Sequence, residues 1–150
     1  MTFYINELFN NYIFVASALS WAAAQIIKTI LNLFVTKEFN AERLVGAGGM
    51  PSAHSAFVSA LVVSTGRQCG LGAPEFALAF ALACVVIYDA MGVRRAAGEQ
   101  AKMINFLTDQ LIGKSHSEDI VVKQLKELLG HTPIEVIAGC ILGITIAFIL

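Results

Sequence analysis

The chain has 150 residues, 57% of them hydrophobic and 14% charged, where soluble domains carry roughly 45–50% and about 25%. That length accommodates one domain, and the apolar excess is more than a water-facing surface tolerates, so the expected surroundings are a lipid bilayer. A net charge of −1, from ten Lys and Arg against eleven Asp and Glu, provides no basic surface for nucleic acid, which is excluded as a partner.

The N-terminus MTFYINELFNNY contains Glu7 and no Lys or Arg, so it lacks the basic start of a secretory signal. The first apolar segment is therefore expected to remain in the mature chain. It runs from about Tyr12 to Val35, long enough to cross a hydrocarbon core of about 30 Å. Gln25, Lys28 and Asn32 follow one another at spacings of three and four, which aligns them on one helical face. Gly46, Gly48, Gly49 and Pro51 then predict a loop, and Ser52 is placed to cap a small-residue helix running to about Thr65. That helix is short for a full crossing, and extension to Cys69, little tilt in a thinned bilayer and a partly re-entrant path are all open. GRQCGLGAP reads as a turn, after which Pro74 opens an apolar run from Glu75 to Met91.

From Gly92 to Gly130 the sequence is more polar, with amphipathic periodicity over Ala96–Leu107 and Ile120–Leu129. These helices are expected at or outside the membrane surface. The last apolar stretch, Ile134 to Leu150, follows Pro133 and carries Gly139 and Gly143 as a GxxxG pair, a spacing that permits close helix packing. The expected fold is all-α: one polytopic membrane helix bundle over 1–150, with about four hydrophobic helices plus one or two amphipathic interfacial helices. Cys69, Cys84 and Cys140 form no CxxC pattern and are read as small core residues.

If all four apolar segments cross, Lys37, Arg43, Arg94, Arg95, Lys102, Lys114, Lys123 and Lys126 share one side, and only Arg67 is opposite. The positive-inside rule puts the basic side in the cytoplasm, most naturally at the cell membrane, with both termini outside. A re-entrant second helix would change that assignment. The same topology brings together the end of the first helix, the start of the second, the end of the third and the start of the fourth. Lys28, Arg43, Ser52, His54, Ser55, Asp89, Arg94, Arg95, His131 and Glu135 all fall there. Two histidines, several cations and two helix N-termini suit an anion, and phosphate is the natural candidate. Asp89, at the end of an apolar helix, is expected to pair with Arg94 or Arg43. His116, in KSHSED, reads as a solvated loop residue.

GGMPSAHSA is similar to the P-S-G-H motif, and GHTPIEVIAG to the later His motif, of the type-2 phosphatidic acid phosphatase and vanadium haloperoxidase superfamily. YDAMGVRRAAGEQA resembles a signature of its divergent membrane branch. Residue by residue, the resemblance implies that His131 attacks phosphorus to form a phosphohistidine, that Glu135 stands where an Asp orients its second nitrogen, and that His54 protonates the leaving oxygen. A carboxylate four positions on along a helix would reach such a ring. Lys28, Arg43, Ser52, Ala53, Arg94 and Arg95 would hold the phosphate, with Asp89 and Ser55 in support. No cofactor or metal is assigned, and vanadate would enter only as a phosphate mimic.

The chain departs from that pattern at four places. No string of Lys, six residues and Arg-Pro occurs, Leu125 stands where an Arg usually precedes the His, Ala53 replaces Gly, and Glu135 replaces Asp. The implied activity is hydrolysis of a lipid-linked or other phosphomonoester. The alternatives are a binder or transporter of phosphorylated lipid, and a structural membrane subunit using its GxxxG face on partners. Membrane lipids are the expected partners in each case, and a small bundle of this kind is compatible with a homodimer.

Overall fold

The structure, a computed structural model, describes residues 2–36, 49–112, 125 and 130–150. Among these residues the fold is all-helical: α1 (Thr2–Asn10), α2 (Tyr12–Thr36), α3 (Ala53–Cys69), α4 (Pro74–Met91), α5 (Val93–Ile112) and α6 (Pro133–Ile149). Arg43, His116 and nearly all of the amphipathic stretch expected at Ile120–Leu129 lie outside the described residues.

Asn11 separates the first two helices and caps the second. Its side-chain oxygen accepts from the Phe14 amide at 3.1 Å and its carbonyl from Val15 at 2.9 Å, the arrangement that satisfies a helix start. The preceding α1 was not anticipated from the sequence. It exposes Phe3, Tyr4, Leu8 and Phe9, an amphipathic pattern too short for the periodicity test to detect.

The 25 residues of α2 span about 37 Å at 1.5 Å per residue. The helix buries Ala16, Ser17, Ser20, Ala24, Gln25 and Lys28, spaced so that small side chains face its neighbour. The hydroxyls of Ser17 and Ser20 donate to the carbonyls of Ile13 and Ala16 at 2.8 and 2.7 Å. These serines therefore keep the packing surface low without leaving a polar group unmet in an apolar setting.

At the centre of the bundle is α3, flanked by α2, α4 and α6. Neighbours cover it, so it has little need for large lipid-facing side chains, and its buried positions include Ser55, Ala56, Ser59, Ala60, Ser64 and Thr65. This accounts for its modest apolarity. Its two ends meet opposite ends of α2. At the N-terminus Ala53 and Ala56 pack on Ala24; at the C-terminus Arg67 donates to the Tyr12 hydroxyl at 2.6 Å and to the carbonyl of Ala147. The Arg67 guanidinium also lies over the Tyr12 and Phe148 rings, 5.4 and 5.5 Å from their centroids. The helix thus reaches Cys69 and runs antiparallel to α2 along the bundle.

Gly139 and Gly143 press α6 onto α3. A Cβ at Gly139 would fall on the Ser52 carbonyl oxygen, and one at Gly143 on the Ala56 carbonyl oxygen. The GxxxG face is therefore occupied within the chain, which removes the surface that the structural-subunit reading had assigned to partners.

Among the described residues, two stretches are long and apolar enough to cross a membrane: Tyr12–Phe34, and Pro74–Gln110 across α4 and α5. Gly92 breaks the second into its apolar and amphipathic halves, with its N–H on the Tyr88 carbonyl at 2.8 Å. The apolar α6 has 17 residues, and α3, also 17 residues, depends on its neighbours. Of the four hydrophobic helices expected, two thus satisfy the length criterion unaided. The amphipathic α5 extends the predicted Ala96–Leu107 at both ends. The thiols are free, and Cys69 and Cys84 are exposed with Cys140 half-buried; they are not core residues, because α4 leans on α3 through Ala79 and Ala83 and turns Cys84 outward.

Candidate functional site

Four segments converge at the end of the bundle opposite Arg67. Backbone hydrogen bonds join them: Ser52 N–H donates to the Glu135 carbonyl at 3.0 Å, and His131 N–H donates to the Ala90 carbonyl at 3.0 Å. The first ties the start of α3 to the first turn of α6. The second ties the residue before that turn to the last turn of α4. Lys28 joins from α2, its aliphatic stem 3.2 Å from where a Cβ on Gly49 would fall. Gly49 and Gly130 have φ of +87° and +89°, a region that glycine enters without steric cost. These two turns place Ser52 and His131.

Ser52 is the N-cap of α3. Its Oγ accepts from the Ser55 amide at 3.3 Å and from the Ser55 hydroxyl at 3.0 Å, and both serines are fully buried. The Ser52 amide is already committed to Glu135, so this residue holds the loop's shape. Among the first-turn amides, Ala53 N–H is a donor for which the helix has no internal acceptor. Ala53 and His54 thus lie where an anion would meet the positive end of the helix.

The two histidine rings approach edge to face, with centroids 6.5 Å apart and planes at 89°. His131 is 5% exposed, whereas His54 is open to the surroundings. Lys28, 4% exposed, is the buried cation of the group. Asp89 is half-buried one position before Ala90, and Arg95 is exposed near the start of α5. The arrangement can hold an anion between a helix N-terminus, a lysine and two imidazoles of unequal accessibility.

In the structure Glu135 takes part in a capping box. Its Oε2 accepts from the Thr132 amide at 2.8 Å, while the Thr132 side chain accepts from the Glu135 amide at 3.4 Å, forming a capping box. The reason is positional: Thr132 is the N-cap, so His131 lies just outside α6 and the i, i+4 side-chain geometry of a helix does not apply to the pair. One oxygen of the carboxylate is thus engaged at the helix start. The His131 backbone amide bonds the Ala90 carbonyl, and the residue is buried.

Two contributors were not singled out as site residues from the sequence, and a third buried polar residue on α5 was also missed. Gln25, 7% exposed and one turn before Lys28, has an Oε1 with no hydrogen-bond partner among the described residues. Ala90 acts through its carbonyl, for which no sequence signal exists. Asn105, 7% exposed, bonds the backbone of Leu125 twice, donating to its carbonyl and accepting from its amide, both at 2.9 Å. A buried Asn on an amphipathic helix is a signal that could have been followed.

Comparisons with known proteins identify the family. Residues 9–146 match the divergent PAP2 family. The chain is 37% identical over 152 residues to the uncharacterized membrane protein YuiD of Bacillus subtilis, covering 96% of each chain. No solved structure matches. With nearly the whole bundle inside the match, including both histidine turns, the chain belongs to the divergent PAP2 family of membrane proteins.

Proposed function

We propose that this protein is a membrane phosphatase that hydrolyses a phosphomonoester, lipid-linked in its natural substrate, through a phosphohistidine. The observation that carries the reading is the edge-to-face meeting of His54 and His131 at the N-terminus of α3, at the end of the bundle where Lys28 is buried against Gly49. His131 attacks phosphorus, an N–P bond forms, and the P–O bond to the leaving group breaks as His54 gives that oxygen a proton. Water then attacks phosphorus, the N–P bond breaks, and His54 recovers a proton from the water as phosphate leaves. The Ala53 amide, the helix dipole and Lys28 stabilise charge on the non-reacting oxygens. Arg43, Arg94 and Arg95 are further candidates for that role, and Asp89 and Ser55 support the surrounding turns. The basic loops put the site at the cytoplasmic face.

Phosphate release from phosphatidic acid, other lipid phosphates and an aryl phosphate tests the proposal with purified protein in detergent. Wild type releases phosphate, and His131→Ala and His54→Ala, folded to the same extent, do not. Equal release by the variants overturns the mechanism. A second reading, a phospholipid binder without turnover, draws support from the Glu135 carboxylate being engaged in the capping box. It predicts saturable lipid phosphate binding with no release by any form.

A further inference from the structure

A groove of about 420 Å³ runs between α3 and α4, closed on one side by Ile144 of α6. That volume lies within the roughly 300–1,000 Å³ of small-molecule clefts. Val62, Val63, Phe80, Cys84, Tyr88 and Met91 give it an almost wholly apolar lining. Along α4 it extends from Phe80 to Met91, about 16 Å at the helical rise. Phe80, Cys84 and Tyr88 are exposed on the outside of the bundle, so the groove opens sideways, toward the bilayer.

Its position gives it a direction. Met91 follows Ala90, whose carbonyl holds the His131 amide. Ser59, also in the lining, is one turn along α3 from Ser55, which bonds the cap at Ser52. One end of the groove thus begins within about one and a half helical turns of His54 on the α3 wall and next to the residue that bonds His131 on the α4 wall, and the rest leads away along the bundle.

We propose that this groove holds one hydrocarbon chain of the lipid whose phosphate is at His54 and His131. The assignment rests on the phosphatase reading only for the fate of the phosphate; the seating of a lipid phosphomonoester stands without turnover. A chain moving from bilayer to groove exchanges one hydrocarbon environment for another, so the gain is packing and not hydrophobic transfer. The groove therefore orients the head group more than it tightens binding.

Two measurements test this. A phosphatidic acid with a diazirine in one acyl chain is irradiated with the protein in phosphatidylcholine nanodiscs. Adducts are expected on the α3 and α4 residues of the groove, suppressed by unlabelled phosphatidic acid and not by added phosphatidylcholine. Adducts spread evenly over the outward faces of α2, α4 and α6, or competed equally by both lipids, would mean bulk lipid and overturn the proposal. In the kinetic arm, Cys84→Trp and Val62→Trp, which occupy the groove from opposite walls, are expected to lower the ratio of kcat/KM for long-chain phosphatidic acid to that for an aryl phosphate by about tenfold. An unchanged ratio in two folded variants contradicts the assignment. Groove adducts from protein that releases no phosphate would retain the seating and reject the phosphatase.

Discussion

Substituting Gly143 by Ala probes how closely α6 lies on α3. The new Cβ would overlap the Ala56 carbonyl oxygen and lie 2.9 and 3.0 Å from its carbonyl carbon and Cα. All three atoms are backbone, so no side chain can turn aside and the helices must separate. Overpacking of this kind costs about 1–3 kcal/mol, and the absence of a flexible neighbour places it toward the upper end. Gly139→Ala meets the Ser52 carbonyl in the same way, and it also displaces the residue whose amide bonds Glu135. Gly72→Ala is the control, because nothing lies within 4 Å of its Cβ position. Reversible unfolding in mixed micelles should place both GxxxG variants below wild type by that margin and leave Gly72→Ala within about 0.5 kcal/mol. If Gly143→Ala were as stable as wild type, the two helices would not be in backbone contact.

Other substitutions separate structural from chemical roles. Glu135→Gln should retain both stability and phosphate release, because Gln serves a capping box as Glu does; loss of release with unchanged stability would restore the carboxylate to an orienting role on His131. Asn105→Ala leaves the Leu125 amide and carbonyl without their side-chain partner, and unfolding should show a loss of about 1–3 kcal/mol. Arg67→Met removes the donor to Tyr12 and Ala147 at the far end of the bundle. It should lower the unfolding midpoint while KM for any phosphomonoester stays unchanged. Vanadate should inhibit release competitively with substrate, as a phosphate mimic at the histidines; noncompetitive inhibition would place it elsewhere.

Much of this architecture was legible because helix ends carry local chemistry. Ser52, Pro74 and Pro133 mark the starts of three helices by capping or by a fixed φ, and those boundaries agree with the structure. The convergence of His54, His131, Lys28 and Asp89 followed from alternating the direction of successive helices. Other features depended on tertiary position. The low apolarity of α3 resembled an incomplete span until its three covering neighbours were known. His131 and Glu135 are four apart in sequence, but the Thr132 cap between them separates a turn residue from a helical one. Ala90 contributes a carbonyl that every residue possesses, and the groove beside it arises from the approach of two helices whose sequences each read as ordinary apolar segments.

In the proposed phosphatase cycle His131 becomes covalently phosphorylated. Brief incubation of the protein with radiolabelled phosphatidic acid, followed by rapid quenching in alkaline detergent, tests it directly. The expected result is an acid-labile, alkali-stable label that maps to His131, is absent from His131→Ala, and persists longer in His54→Ala if any forms there. Phosphate release by wild type with no label on His131 at any quench time, and undiminished release by His131→Ala, would contradict it.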